Sequence, residues 1–448
     1  MDRSAVLETS SVAGWVAALA RLDPEVSDAE RIDQIRLLEE IKSAAAAAQA
    51  VVTADFAASQ RAQQRAAGAA PAEVGRGIAA QVALARRDSP HRGSRHLGLA
   101  EALVREMPET LAGLRSGAIS EWRATIVVRE TACLGADQRR VVDRELASRL
   151  AVMGDRQTET AARSAAYRLD PHAFMARSRA AERDKRVTLR PAPDTMSRLT
   201  GFLPVAHGVA CYAALTKHAD GLKAAGDPRG RGQIMAETLV ERVTGQIVAS
   251  ATPVEVALVM TDATLLAGSD EPAELVGGGP VPAPMARDLV RETKGDVWVR
   301  RLFTRPSDGA LVAMESRRRF FPEPLREFLV LRDLTCRTPW CGAPIRQADH
   351  VTPVEAGGAT SADNGQGLCV TCNQTKQVTG WRGRPGPAGA GQLTVLSTPT
   401  GHDYTSGPPP APRPPPAPGL PPPRRHARSG TDEQSVLERE LERMLAAA

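Results

Sequence analysis

The chain has 448 residues, 42% hydrophobic and 24% charged, a balance that suits a soluble globular protein of two or three domains. Its net charge of +5, with a pI near 9.0, is too mild by itself to argue for a nucleic-acid partner. The start lacks a basic run followed by an apolar core, and the longest apolar stretch, SAAAAAQAVV from Ser43, is too short and Ala-rich to span a bilayer; the expected setting is the cytoplasm, with no membrane.

After an N-terminal segment over 1–28, Ser27-Asp-Ala-Glu30 forms a capping box, the Ser accepting from a first-turn amide while the Glu reaches back. It opens a long helix through Ile32, Ile35, Leu38 and Ile41 to about Ala67. A second helical run over 93–120 breaks at Pro108 and turns at Gly117, and Ser120 starts a helix carrying Ile126 and Val127. Helices follow at about 136–150 and 155–167. Within 186–204 the period changes, with Val187 and Leu189 alternating with polar residues as in a strand. Helices return at 205–225 and 232–246, and a second strand is expected over 253–261. Residues 267–286 read as loop, and 297–320 as a hairpin turning at Ser307-Asp-Gly. The fold class is mainly α: a large helical domain with a few strands over 29–319, followed by smaller pieces. Near the end, 386–430 reads as a disordered Pro-rich linker of polyproline II character, and 431–448 as a short helix with Leu437, Leu441, Met444 and Leu445 on one side.

Six cysteines are present. Cys133 and Cys211 stand alone in apolar helical surroundings and read as buried small hydrophobes. Cys336, Cys341, Cys369 and Cys372 form two close pairs, the pattern of a tetrahedral zinc in a reducing compartment. With four thiolates in place such a zinc is structural and holds no reactive water. Between the pairs lie Asp349 and His350 at the end of a short strand, a Gly357-Gly358 turn, and then Asn364. After Cys369 a helix should carry Asn373 and Lys376. Strand neighbours point to opposite faces, so Asp349 and His350 can share a site only if the chain turns at Val351-Thr-Pro353. Strand, loop, strand and helix outline a ββα-metal module over 320–385.

The stretch Cys336–Trp381 resembles an HNH endonuclease domain of the four-cysteine, zinc-bound kind. The resemblance implies that His350 is the general base, that Asp349 and Asn373 ligate one catalytic divalent metal, and that Asn364 ties the loop down to orient His350. Asn373 stands where the literal motif has His, which makes this an H-N-N variant. An amide oxygen is a harder ligand than imidazole, which favours Mg²⁺ or Mn²⁺ over Zn²⁺ or Ni²⁺. Two stretches of the body, HRGSRHLGLAEALVREMPETLAGLRSGAISEWRATIVVRETACL and RVTLRPAPDTMSRLTGFLP, resemble a domain of unknown function common in actinobacterial proteins, which precedes such modules. That likeness implies a helical domain and brings no activity with it.

The implied activity is metal-dependent hydrolysis of DNA phosphodiesters. Between residues 301 and 350 nine arginines face six acids. Arg326 and Arg332, six apart on an expected helix, are candidates for phosphate contacts, as are Arg346 and Lys376. Arg317-Arg-Arg319 reads either as a solvated turn or as a DNA clamp. His91, His96, His172, His207 and His218 have no partner at ligand spacing and read as structural or surface residues. The competing reading is a non-catalytic zinc module that binds nucleic acid or protein. A purely structural zinc knot has no need of Asp349, His350 and Asn373 together. Expected partners are DNA and a second copy of the chain, met through the helical domain or the C-terminal helix.

Overall fold

The computed structural model describes residues 9–21, 25–245, 258–275, 279–292, 321, 323–387 and 392–409. The expected hairpin over 297–320 and the terminal helix over 431–448 lie outside these residues.

Helix α1 (Thr9–Leu19) is exposed and precedes α2 (Asp28–Ala66), which starts where the capping box sets it. Ser27 Oγ accepts from Glu30 N at 3.3 Å, and Glu30 Oε2 accepts from Ser27 N at 2.9 Å. The packing stripe of α2 differs from the expected one. Ile32, Ile35 and Ile41 are exposed, and the helix buries Ala46, Ala47, Ala50, Ala54 and Ala57 instead. Alanine lets two helix axes approach closely, and here α2 packs against α4 (Pro90–Glu106), with α3 (Ile78–Ala85) alongside.

The body continues with α5 (Pro108–Arg115), α6 (Glu121–Glu130), α7 (Ala136–Leu150), α8 (Asp155–Leu169) and α9 (Pro171–Arg183). Leu103, Met107, Leu114, Val127, Val142 and Leu146 meet in its core. Pro108 ends one helix and opens the next because it supplies no amide hydrogen and sits well at a first helical position. The first amides of α5 need an outside acceptor, and the buried Asp143 of α7 provides it. Its Oδ2 accepts from Glu109 N at 2.7 Å, while Oδ1 accepts from Thr110 N at 2.9 Å and from Thr110 Oγ1 at 2.5 Å.

The change of period near 186 marks a hairpin, β1 (Arg186–Pro191) and β2 (Ser197–Phe202), followed by α10 (Val205–Ala224) and α11 (Arg231–Thr244). Of the strand expected over 253–261, the described part is β3 (Leu258–Val259). It is followed by α12 (Asp262–Leu266), β4 (Ala273–Leu275), β5 (Gly279–Val281) and α13 (Ala283–Glu292). Residues 267–286 are therefore more than loop. Buried Ala273, Val281 and Ala286 give β3, β4, β5 and α13 a small core of their own. Cys133 packs against the main core, whereas Cys211 is exposed, because α10 buries only Ala219.

The last part begins with α14 (Glu323–Asp333). An antiparallel hairpin, β6 (Gln347–His350) with β7 (Gly365–Leu368), leads into α15 (Val370–Lys376). A three-stranded sheet follows, β8 (Arg382–Pro385), β9 (Thr394–Ser397) and β10 (Asp403–Ser406), in the order β10-β9-β8. This corrects the linker expected over 386–430. Through Ser406 the chain buries Thr394 and Val395 and closes a sheet. Among the described residues no helix is long and apolar enough to cross a membrane.

Asp143→Ala would leave two buried amides and a hydroxyl without their charged acceptor. The expected cost is about 2–4 kcal/mol of unfolding free energy, read by denaturant titration of the full chain.

Candidate metal centre and nuclease site

The cysteine pairs converge. The Sγ atoms of Cys336, Cys341, Cys369 and Cys372 all lie within 4.8 Å of one another, with Cys341–Cys369 at 3.8 Å and Cys372–Cys341 at 3.6 Å. Zn–S bonds of roughly 2.3 Å in a tetrahedron put sulfurs roughly 3.8 Å apart, so the set fits a closed zinc site. The sulfurs hydrogen-bond to one another. Sharing with Cys341 pulls the Cys336 thiol down to about 7, while contact with Cys336 pushes Cys341 and Cys372 up and pulls Cys369 down. All four can ionise together only around a cation.

A buried ionic cluster sits behind the hairpin. Asp333, at the end of α14, receives Arg332 Nε on Oδ1 at 2.7 Å, Arg332 Nη2 on Oδ2 at 2.9 Å and Arg337 Nη1 on Oδ1 at 3.0 Å. Its Oδ2 also accepts from Gly367 N of β7 at 2.7 Å. Arg332 also donates to the carbonyls of Ala362 (2.6 Å) and Gly365 (2.8 Å), and Arg337 Nη2 to those of Gln392 (2.8 Å) and Ser406 (3.1 Å), while Arg337 Nε is buried without an acceptor. Arg332 is buried and held by these bonds, out of reach of a phosphate. This corrects its assignment, since burial beside Asp333 makes it a brace. The exposed Arg326 and Arg346 meet differently, with Arg326 Nη2 3.4 Å from the Arg346 carbonyl.

The hairpin register sets the site. Asp349 lies opposite Gln366, and His350 opposite Gly365. His350 is the last residue of β6, and Val351 then donates its amide to the Asn364 carbonyl at 2.7 Å as the chain bends. Asn364 closes the loop from within. Its Oδ1 accepts from Thr352 N at 2.9 Å, and its Nδ2 donates to Thr352 O (3.0 Å) and Ala359 O (2.8 Å). Gly358 is required by contact, because a Cβ there would fall 1.9 Å from the Thr352 carbonyl oxygen, and Gly357 by its φ of 84°.

The His350 ring packs on Phe321, centroids 4.5 Å apart, and its Nε2 is 2.8 Å from Thr360 Oγ1. Burial holds its imidazole below the usual range, with Lys376 adding to the effect against the pull of Asp349 and Glu355. Asn373 Nδ2 donates to Gln347 Oε1 at 2.8 Å, while its Oδ1 is buried and has no partner. The helix cap is Cys369, whose Sγ accepts from Cys372 N, so capping does not account for Asn373. Asp349 Oδ2 accepts from Gln366 Nε2 at 3.1 Å and from Lys376 Nζ at 2.6 Å, and its Oδ1 accepts nothing among the described residues. Lys376 is paired and buried, which corrects its reading as a surface phosphate contact. Asp349 Oδ1 and Asn373 Oδ1 thus accept no hydrogen bond among the described residues.

Sequence reasoning missed Thr360, Gln366 and Phe321. Gln366 was open to inference from the hairpin register, because it faces Asp349. Thr360 and Phe321 reach His350 through the loop and the approach to α14, which no period reveals.

A family model described as a domain of unknown function, DUF222, matches residues 35–333, about two thirds of the chain. A second, described as HNH endonuclease, matches residues 336–379. Two similar curated proteins come from Mycobacterium tuberculosis (strain ATCC 25618 / H37Rv). The uncharacterized protein Rv3776 is 35% identical over 142 residues, covering 31% of this chain and 25% of that protein. The uncharacterized protein Rv2100 is 37% identical over 142 residues, covering 31% and 24%. The match therefore spans about a quarter of the length of each relative. No solved structure matches the chain at a significant level.

Elemental analysis of the purified chain should find one zinc per molecule. Cys372→Ser should lose it, together with hydrogen-exchange protection of β6 and β7. Asp333→Ala should lower unfolding free energy by about 3–5 kcal/mol in denaturant titration, since it strands two buried guanidinium groups.

Proposed function

The chain belongs to the DUF222 family and carries an HNH endonuclease domain, and from that premise we propose that it is a divalent-metal-dependent endonuclease that hydrolyses DNA phosphodiesters. One observation carries the reading: Asn373, tied through Nδ2 to Gln347 of the strand that ends in Asp349 and His350, keeps a buried Oδ1 without a donor, and burial holds the His350 imidazole below its usual range. A buried acceptor without a donor costs about 1–3 kcal/mol, which a bound cation would relieve.

A divalent ion held there supplies charge neutralisation at a nonbridging phosphate oxygen and at the departing 3′ oxygen. With Nε2 occupied by Thr360, Nδ1 is the ring nitrogen of His350 left to take the proton of the attacking water. The Phe321 face and the Asn364-tied loop hold the ring in place while it does so. Arg326 and Arg346, both exposed, are the side chains offered for phosphate contacts. The hard oxygen pair suits Mg²⁺ or Mn²⁺, and the thiolate zinc site suits a reducing cytoplasm.

The competing reading, a zinc module without catalysis, draws on the Lys376–Asp349 pair as a purely structural bond. Plasmid nicking separates the two. Wild type should nick with Mg²⁺ or Mn²⁺ and stop with EDTA. His350→Ala should fall by a factor of about 10²–10⁴. Asn373→Ala should need more metal for the same rate. Metal-dependent nicking that His350→Ala leaves unchanged would defeat the assignment.

A further inference from the structure

Asp349 is held from one side only. Lys376 Nζ sits 2.6 Å from Oδ2 and also donates to the His350 carbonyl, and Gln366 supports the same oxygen. The lysine side chain is only 6% exposed, and that of Asp349 13%. Its stem runs under Gly383 of β8, where a Cβ would come within 3.0 Å of Lys376 Cε and 2.7 Å of the Val351 carbonyl oxygen. The appended sheet therefore leaves a channel that fits this one side chain.

An ammonium in that place has two opposed effects. It compensates a largely buried carboxylate and holds it through Oδ2, which leaves Oδ1 without a donor among the described residues. It also places a positive charge within a few ångströms of any cation bound to that Oδ1. Asp349, Asn373 and Lys376 together carry no net charge, which is a poor host for a divalent ion.

We propose that Lys376 is the resident counter-cation of Asp349, a positioning residue that keeps the metal site weak until a DNA phosphate supplies the missing negative charge. This rests on the metal-site reading above and adds what sets the affinity of that site. In the metal-free protein the ammonium keeps the carboxylate aligned. On substrate binding, phosphate and divalent ion enter as a neutralising pair, so metal loading and substrate loading are coupled.

The test is Mn²⁺ titration of the zinc-loaded full chain by calorimetry, without DNA. Lys376→Met should bind Mn²⁺ about tenfold more tightly or better, and Lys376→Arg should match wild type. Structural damage alone would weaken binding, so a gain of affinity is diagnostic. Lys376→Gln, which retains a hydrogen-bond donor, should also tighten binding and serves if the Met variant unfolds. Asp349→Asn added to Lys376→Met should abolish the gain. In a His350→Ala background, duplex DNA should raise Mn²⁺ affinity more with Lys376 present than with Met there. Unchanged or weaker Mn²⁺ binding by folded Lys376→Met and Lys376→Gln would overturn the proposal, as would an equal DNA effect in both backgrounds. Absence of any Mn²⁺ binding that depends on Asp349, in every variant and with DNA, would instead overturn the metal-site reading on which it rests.

Discussion

One carboxylate organises the C-terminal module. Asp333 is fully buried and shared between two guanidinium groups, a 2:1 ratio that leaves positive charge inside the protein. Nη1 and Nη2 of Arg332 and Nη2 of Arg337 spread that charge onto carbonyl oxygens, while Arg337 Nε stays buried without an acceptor. The carbonyls belong to separate pieces of chain: the loop before β7, the start of β7, the segment before β9 and the end of β10. Few apolar side chains are available here, since the core under α14 is limited to Leu325, Phe328, Leu329 and Ala362, with Phe321 and Ala348 beside them. An ionic hub with fixed geometry specifies relative position where a small greasy core would tolerate sliding.

The zinc site and this hub divide the work. The thiolates fix the start of α15 against the knuckle that precedes β6, which aims Asn373. The Asp333 hub fixes β7 from the other side through the Gly367 amide, and cross-strand register then places Gln366 against Asp349. The loop between the strands is thus free to be polar and Gly-rich, because its ends are set by other forces and Asn364 closes it. A site built this way holds its ligands without a large core, a demand that a module of this size could not otherwise meet.

Much of this was legible in the sequence. The Ser27 capping box, the Pro108 break and the convergence of the four cysteines are local signals, and local signals survive folding. The failures share another cause. Arg332 and Lys376 were read from residue type and spacing, as exposed cations near a nuclease motif. Their partners are Asp333, one residue away, and Asp349, 27 residues away, and only burial makes those pairings obligatory. The Ile32 and Ile35 stripe was misleading because hydrophobicity marks what can be buried, whereas Ala46, Ala47 and Ala50 mark where helices touch. The sheet β8–β10 was hidden by the Gly- and Pro-rich stretch 383–391 that runs from β8 toward β9, and its far ends are held by Arg337, 55 and 69 residues away from the carbonyls it binds.

That sheet also joins the helical body to the site. Thr400 Oγ1 donates to Gln81 of α3 at 2.9 Å. Gly77, with φ of 80°, lies so close to Trp381 that a Cβ would meet the indole Nε1 at 2.8 Å. Trp381 is two residues from Gly383, whose missing side chain makes room for Lys376, and Lys376 holds Asp349. A cleft between α3 and the module is lined by Ala80, Leu84, Trp381, Gly383 and Lys376, so the body forms part of the wall behind the carboxylate. The helical domain is in this sense more than a tether. Gly77 against Trp381, Gly383 against Lys376 and Lys376 on Asp349 form one run of contacts from α3 to the carboxylate.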